Sequence, residues 1–259
     1  MADFNKNELI LERVRSLTYH DLATNKMLLR LTSLEDTSLQ CTAESDEVVD
    51  GMGATITNIY KAKKATLSGS NSLMSLDLAA IQYGTEKEVA SSTNKIVDYA
   101  YEILEISGGK VTLAHTPKDA IKYIYSIKDN GVGEAYTAGS QASAKEFLVA
   151  ENTITVPTGL TGKVFVEYNY ESEKAVKVRN SATKFPSAGS VIVYAYFKDP
   201  CNENLTYSGK IVCPKAKINP ESMELALNST GKHPFEFNMM KDYCSEDGDD
   251  ELFSIIVAE

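Results

Sequence analysis

Few side chains in this sequence have the type and spacing that acid-base or nucleophilic catalysis requires. The 3 histidines, His20, His115 and His233, lie far apart, and none accompanies a Gly-x-Ser-x-Gly elbow or a His-Glu-x-x-His segment. Glu167 and Glu171 could pair as acid and base, but their spacing carries no information about their separation after folding. Because a hydrolase needs its base beside a nucleophile and an orienting acid, we predict no catalytic residue and no enzymatic activity.

Two other stretches have the composition of a ligand site without its spacing. Gly69 lies in Ser-Gly-Ser-Asn and lacks the Gly-x-x-x-x-Gly-Lys pattern that cradles phosphates. Residues 246–251 concentrate the carboxylates that calcium prefers, but they lack the Asp-x-Asp-x-Asp-Gly order and the distal glutamate. We interpret the acidic residues as a solvated turn, and we predict neither a metal site nor a cofactor.

Tyrosines form the third group of side chains that could bind a ligand. The chain has 14 of them and no tryptophan. Tyrosine rings on exposed strands can stack on sugars or on nucleic-acid bases. Tyrosine is also common at half-buried positions of sheets, where the ring packs against neighbouring strands. We interpret these tyrosines as sheet packing and predict no binding site among them.

The charge balance argues against a protein that grips nucleic acid. The 259 residues carry 26 Lys and Arg against 36 Asp and Glu, a formal net charge of −10, whereas tight phosphate binding needs cationic contacts. The N-terminal residues lack a secretory apolar core, and residues 191–197 are far shorter than the roughly 20 apolar residues of a spanning helix. We expect a soluble protein, made in the cytoplasm, whose 4 cysteines stay reduced.

The elements that would position any site are organised around residues 61–84. The first part of this stretch alternates small or apolar residues with lysines and predicts a partly exposed strand. Small side chains at residues 68–71 predict the turn that ends the strand. Apolar residues then recur at helical spacing and Gly84 is typical of a helix C-terminus, so we predict one helix at about residues 71–83.

Residues before this stretch predict an N-terminal arm and a hairpin. Ile10, Val14 and Leu17 could form a short helical stripe, so residues 1–25 fit either a frayed helix or an ordered arm. Residues 26–34 and 39–43 alternate as strands do, and residues 35–38 predict the turn between them.

Nearly all of the chain after the helix predicts strands. The glycines at 108 and 109 predict a hairpin that joins residues 99–106 to residues 110–115. Residues 191–197 are apolar on both faces and predict a central strand. Further strands are predicted at residues 55–60, 147–150, 153–156, 163–170, 206–213, 223–227, 234–238 and 252–257. The pattern predicts a mainly β fold, a β-sandwich or barrel with one flanking α-helix.

Two stretches of the middle region lead to more specific expectations. Ile121, Tyr123, Tyr125 and Ile127 recur at period two and predict one face of a strand. Residues 129–145 contain three glycines among small polar side chains, and they predict a long loop that is mobile in the monomer.

Four segments carry a resemblance to a known family: TNKMLLRLTSLEDTSLQCTAES, the glycine loop VVDGMGATI, the segment KAKKATLSGSNSLMSLDLAAIQYGTEKEVA and the ending DYCSEDGDDELFSIIVAE. Together they resemble tail tube, or major tail, proteins of bacteriophages that infect Gram-positive-type hosts. The resemblance implies an extended N-terminal hairpin or arm and hexameric rings that stack into a tube around the DNA path. It implies one domain over residues 1–259, in which about residues 95–198 exceed the family module and form an elaborated or inserted sheet.

The implied function is that of a virion structural protein, assembled in the host cytoplasm. Its implied partners are copies of itself, a tape-measure protein and the tail terminator or baseplate proteins, while DNA passes without specific binding. We place the self-assembly region in the organising stretch, at Lys61, Lys63, Lys64, Ser68, Gly69, Ser70 and Asn71. An immunoglobulin-like binding module, such as a head-decoration or host-surface recognition protein, is the alternative. Electron microscopy discriminates between the two, since rings or tubes favour self-assembly.

Overall fold

The computed structural model describes residues 7–128, 131–220, 231–242 and 250–258, and of Glu203 the backbone alone. The chain forms two compact units. The first comprises Met1–Lys87 and Val178–Glu259, and the second comprises Glu88–Lys177. The division into two compact units does not test whether the chain is one domain. The single domain over residues 1–259, with an elaborated region at about 95–198, therefore stays a prediction.

Strands dominate the described residues, which confirms the mainly β fold. The first unit contains the single helix of the described residues, α1 (Leu76–Gln82), and these strands: β1 (Ile10–Asp21), β2 (Met27–Leu31), β3 (Leu34–Val49), β4 (Thr55–Asn71), β14 (Ala188–Asp199), β15 (Asn202–Ile218), β16 (His233–Met239) and β17 (Ser254–Ala258). The second unit contains these: β5 (Glu88–Val89), β6 (Ile96–Glu105), β7 (Lys110–Thr112), β8 (Tyr123–Lys128), β9 (Gly131–Ala138), β10 (Glu146–Ala150), β11 (Thr153–Thr155), β12 (Lys163–Ser172) and β13 (Val176–Lys177).

The sheet of the first unit has 8 strands in the order β2-β1-β14-β15-β16-β4-β3, and β17 pairs with β15 beside this path. Its edge strands β2 and β3 are consecutive, with only Thr32 and Ser33 between them. A flat sheet of this width would separate its edges by about 29 Å, whereas that link spans at most about 11 Å. The sheet must therefore curl around its core.

Strand β14 lies between β1 and β15 in this curled sheet, so the central strand predicted at residues 191–197 is confirmed. Val191, Val193 and Ala195 point into the core, where Leu17 and Phe237 are fully buried. Apolar side chains on the other face of β14 are half-buried, which explains why the sequence of this strand is apolar on both faces.

The helix is confirmed, but it begins later than residues 71–83 predicted. Ser75 is the N-cap, and its Oγ accepts a hydrogen bond from the N–H of Leu78 at 3.2 Å. Gly84 follows the C-cap with φ +63°, where a Cβ would come within 2.3 Å of the Phe185 backbone, so glycine is required twice over. The side chain of Leu78 packs into the core of the first unit.

The turns predicted at residues 35–38 and 68–71 are wrong, because both segments belong to strands. Strand β4 continues to Asn71 and lies between β3 and β16. A Cβ at Gly69 would come within 2.8 Å of the Phe235 ring, so the small residue permits close packing rather than a turn. A bulge between Glu35 and Ser38 absorbs the irregular stretch of β3, which pairs with β4 and not with β2.

Strand β1 replaces the helical stripe that was one interpretation of residues 1–25. Ile10–Asp21 pairs with β14 over its whole length and with β2 near its end. Leu17 and Tyr19 are completely buried, and the hydroxyl of Tyr19 donates to the carbonyl oxygen of Ser187 at 2.8 Å. Residues 10–21 therefore agree with the ordered arm, the other interpretation of this region.

The second unit contains a 7-stranded sheet in the order β6-β12-β8-β9-β10-β11-β7, and a separate pair of β5 and β13. Strands β6 and β7 lie at opposite ends of this order but are joined by residues 106–109 alone. The sheet therefore curls into a nearly closed barrel around a core of Ile124, Phe147, Ile154, Val164, Val166 and their neighbours.

This curling also overturns the predicted hairpin of residues 99–115. Gly108 and Gly109 have positive φ and the bridge between Ser107 and Lys110 closes the turn, as the sequence indicated. The strands on either side diverge, however: β6 pairs with β12, and β7 pairs with β11. A turn motif specifies the local reversal but not which strands become neighbours.

One further expectation for the second unit is confirmed in part and another is wrong. Tyr123, Tyr125 and Ile127 share one face of β8, its outer face, because Ile124 and Ser126 are the buried residues, whereas Ile121 is buried and precedes the strand. Gly131–Ala138 forms strand β9, where a loop was expected. A Cβ at Gly133 would come within 2.6 Å of Ser126 Oγ, so this glycine allows two strands to approach closely.

Several sequence predictions lie outside the described residues. They are the strand at residues 223–227, most of the acidic run at 246–251, Cys244, and residues 129 and 130 of the expected loop. Within the four described ranges, α1 is far shorter than a membrane crossing, and no helix there is long and apolar enough to make one.

Candidate assembly hairpin

The longest uncovered feature of the described chain is the hairpin of β3 and β4. Every residue from 40 to 64 is exposed, whereas β4 is buried at residues 65, 67, 70 and 71 and the base of β3 is partly buried. Ten residues of strand span about 33 Å, so the outer part of β3 projects by roughly that length. We call residues 40–64 the assembly hairpin. This hairpin matches the extended N-terminal hairpin that the family resemblance implied.

A tight turn organises the tip of the assembly hairpin. Asp50 Oδ1 accepts hydrogen bonds from the N–H of Met52 at 2.8 Å and of Ala54 at 2.9 Å. The hydrogen bonds from the Ala54 and Met52 backbone lower the pKa of the Asp50 carboxyl, since they favour its charged form. Gly53, at φ +84°, completes the turn. The glycines of VVDGMGATI therefore specify this reversal, as the sequence indicated.

Large apolar side chains on the assembly hairpin have no cover. Met52 is 95% exposed, Tyr60 72% and Ile56 65%, whereas core residues of the same unit are fully buried. Ile59 and Tyr60 lie on opposite faces by strand alternation, and Ile56 lies in the bulge opposite Val48 and Val49. A two-stranded ribbon with exposed apolar groups is marginally stable alone in water, so this hairpin is the candidate contact surface of the described chain.

Charged residues alternate with these apolar residues. Lys61 pairs with Asp46 at 2.6 Å and Lys64 pairs with Glu44 at 3.4 Å, both at exposed positions. Between these two ion pairs β4 has a bulge, in which Ala62 has φ +50°. The bulge adds one residue to β4, so Lys63 has no partner of its own in β3. Exposed ion pairs of this kind stabilise little, but they hold the two strands in register.

The residues predicted for self-assembly occupy two different environments. Lys61, Lys63 and Lys64 lie on the assembly hairpin and are exposed. Ser68 and Gly69 are half-buried in the sheet and Ser70 and Asn71 are buried there, with Ser68 Oγ 3.0 Å from Ser38 Oγ. The structure thus places the lysines on an open surface and the Ser-Gly-Ser-Asn segment within the subunit. Their role in assembly stays a prediction.

Sequence reasoning missed the apolar residues that make the hairpin an open surface. Met52, Ile56, Ile59 and Tyr60 were assigned only to a loop and a short strand. Strand-like runs lie on both sides of Asp50-Gly51, and neither run has a continuous apolar face. This pattern could have indicated a projecting hairpin.

The chemical candidates of the sequence are dispersed. His20 and His233 belong to the first unit and His115 to the second, where its ring stacks on Tyr170 with centroids 3.9 Å apart. Within the part of the chain that is described, no group of three or more His, Cys, Asp or Glu side chains could hold a metal ion. Glu167 and Glu171 lie on the outer side of β12, separated by four residues along one strand.

Comparison with known proteins gives one match to a family and none to a curated protein. The model of the YomU/Tube protein family matches residues 9–250, which include the assembly hairpin and both compact units. No curated protein matches the chain. The match extends over nearly the whole chain. The chain belongs to the YomU/Tube protein family, which confirms the resemblance to bacteriophage tail tube proteins.

Proposed function

We propose that this chain is a virion structural protein that assembles in the host cytoplasm into stacked hexameric rings, which form the tail tube and conduct DNA during ejection. The observation that carries the proposal is the assembly hairpin, an exposed ribbon that the subunit itself leaves uncovered. Membership of a tail tube family supports the same function.

The open edge of the hairpin favours a second copy of this chain as its partner. Strand β3 is an edge strand of its sheet, so one side of its backbone is open to pairing along residues 34–49. Joining such an edge to a neighbouring subunit satisfies the open N–H and C=O groups and buries apolar side chains such as Ile56 and Tyr60. A closed ring repeats this contact until no edge remains.

The charge of the chain supports a conduit rather than a DNA-binding surface. A net charge of −10 disfavours the counterion release that drives binding to the phosphate backbone. DNA would then slide through the tube without being held. The proposal includes a tape-measure protein and tail terminator or baseplate proteins as further partners, and it assigns the chain no catalytic step.

Electron microscopy of the purified protein tests the proposal. The wild-type chain should form rings or tubes. The double variant Ile56→Asp, Tyr60→Asp should remain monomeric, because two carboxylates would have to be desolvated in the contact. Both side chains are exposed in the subunit, so the thermal unfolding midpoint of the monomer should hardly change.

A conservative variant provides the matched control. Ile56→Val with Tyr60→Phe keeps both positions apolar and should still assemble. Tubes formed equally well by the Asp variant would show that Ile56 and Tyr60 do not belong to an assembly contact. A wild-type chain that stays monomeric at high concentration would contradict self-assembly itself.

A further inference from the structure

The outer face of the second unit carries large aromatic side chains that the unit leaves exposed. Tyr99 and Tyr101 on β6 are each 75% exposed, and Tyr123 on β8 is 51% exposed. Tyrosine contributes a large contact area at little cost in conformational entropy, so a cluster of exposed tyrosines is typical of a binding surface. The interpretation of these tyrosines as sheet packing is therefore wrong for this face.

Strand register arranges this face in rows. Strand β12 lies between β6 and β8, and Glu167 is directly opposite Tyr101 while Asn169 is opposite Tyr99. Polar side chains of β12 therefore lie between tyrosines that project from the strands on either side. The Phe165 ring closes one end, 6.4 Å from the Tyr101 ring and 6.2 Å from the Tyr125 ring.

The space between the rows is a groove of about 310 Å³, which we call the tyrosine groove. Its lining includes Tyr99, Tyr123, Glu167, Asn169 and Asp119. This volume is at the lower end of the range for small-molecule sites, and its aromatic walls with a few convergent polar groups have the usual composition of such sites.

Polar groups of the tyrosine groove are placed to accept and donate hydrogen bonds. Asn169 Nδ2 donates to Asp119 Oδ2 at 2.6 Å, which orients the amide and leaves its oxygen available. The carboxylate of Glu167 makes no hydrogen bond or ion pair with any other described residue. Lys122, at the rim, adds an exposed ammonium donor.

We propose that the tyrosine groove binds a neutral saccharide. The C–H face of a pyranose ring is weakly positive and stacks on the negative face of an aromatic ring, so the tyrosines supply walls. Sugar hydroxyl groups donate to the carboxylates of Glu167 and Asp119 and accept from Lys122. This proposal goes beyond the tube function and does not depend on it.

The carboxylates of the groove disfavour two other ligands of an exposed tyrosine face, nucleic acid and a second copy of the chain. Nucleic acid could stack on the tyrosines, but its phosphates would be repelled by Glu167 and Asp119. An apolar face of a second copy would bury the Glu167 carboxylate without a partner, which costs free energy that a polyol avoids by donating hydrogen bonds.

Saturation-transfer difference NMR on the full-length protein tests the proposal. The probes are maltotriose, cellotriose and the trimer of N-acetylglucosamine, with single-stranded oligo-dT as the anionic comparator. We expect at least one trisaccharide to receive saturation at its ring C–H protons and to bind saturably with a Kd of about 1 mM or tighter. Oligo-dT should receive none.

Variants locate the site. Tyr99→Ala and Tyr123→Ala should each weaken binding about fivefold to tenfold, and Glu167→Gln should weaken it less. Tyr60→Ala is the matched control, since Tyr60 is 72% exposed but lies on the assembly hairpin. All four positions are exposed in the subunit, so circular dichroism should show the same fold for each variant.

Four results would overturn the proposal. The first is the absence of saturable binding by every trisaccharide. The second is binding of oligo-dT alone, which would make the face a nucleic-acid platform. The third is an equal loss of saccharide binding with Tyr60→Ala, which would place the site elsewhere. Protection of Tyr99 and Tyr123 amides on oligomerisation, with no saccharide binding, would show an interface between copies and would also contradict it.

Discussion

The backbone N–H of Ser75 donates a hydrogen bond to Nδ1 of His233, 3.1 Å away and 158 positions along the chain. Because Nδ1 accepts, the ring proton lies on Nε2, which donates to Oε1 of Gln82 at 2.8 Å. Nε2 of Gln82 in turn donates to the carbonyl oxygen of Pro234. One buried imidazole thus joins both ends of α1 to strand β16.

Acid should loosen this anchor. Burial lowers the pKa of His233 below its ordinary value of 6.5, because the charged ring is poorly solvated. The unfolded chain then binds more protons below pH 6.5, so the stability that His233 contributes is complete above that pH and is lost as pH falls toward the folded-state pKa. His233→Ala should cost about 1–3 kcal/mol at pH 8.

Urea unfolding of both proteins between pH 8 and pH 5 measures this effect. The difference in the free energy of unfolding between wild type and His233→Ala should shrink as pH falls below 6.5. His115→Ala alters a histidine of the other unit and leaves the contacts of His233 intact, so the loss of stability below pH 6.5 should persist in that variant. A difference that stays constant over the whole range would show that His233 does not titrate in this way.

Gly69 tests the close contact between β4 and β16. A methyl group there would meet the Phe235 ring, so Gly69→Ala should destabilise the monomer by about 1–3 kcal/mol. Gly51→Ala is the matched control, because a Cβ at Gly51 meets no atom within 4 Å. Thermal unfolding of the two variants compares them directly. Equal midpoints would indicate that Phe235 moves aside without cost.

The cysteines should differ sharply in reactivity. Cys41 and Cys201 are exposed free thiols, whereas Cys213 is buried, and burial raises the pKa of its thiol to about 12. Since the thiolate is the nucleophile, iodoacetamide at pH 8 should modify Cys41 and Cys201 in the native monomer and Cys213 only after unfolding. Mass spectrometry of the digested protein reports each site. Rapid native labelling of Cys213, or a stoichiometric disulfide, would contradict this prediction.

The bore of the assembled tube should be net negative. An acidic wall lets DNA slide, and screening over about 8 Å at physiological salt requires the charges to lie on the wall itself. Lys61, Lys63 and Lys64 should then face a neighbouring subunit or the exterior. The surface potential of a reconstructed tube measures both points. A positive bore, or one lined by these three lysines, would refute the conduit mechanism even in a confirmed ring.

Local sequence patterns predicted the individual strands and the helix better than they predicted which elements contact one another. The apolar run at residues 191–197 and the helical spacing before Gly84 depend on burial along one element, and both predictions are confirmed. Gly69 and Gly133 were assigned to a turn and a loop, but their small size allows close contacts with Phe235 and Ser126 on neighbouring strands. The period-two pattern of β8 predicted which side chains share a face, but not whether that face is buried, because tyrosine suits half-buried and exposed strands equally.

The candidate site was predictable only in part. The family resemblance implied an extended hairpin, and the turn at Asp50-Gly51 could be seen in the sequence. The length of the hairpin could not be predicted, because the pairing of β3 with β4 runs from Leu34 to Asn71 across three bulges. A shift of one residue at each bulge disrupts the period-two pattern.

Cryo-electron microscopy of the purified full-length protein tests the central claim most directly. The account predicts tubes of stacked hexameric rings in which residues 40–64 contact a neighbouring subunit and Ile56 and Tyr60 become buried. Dispersed monomers under all assembly conditions, or tubes in which the hairpin remains exposed to solvent, would contradict it.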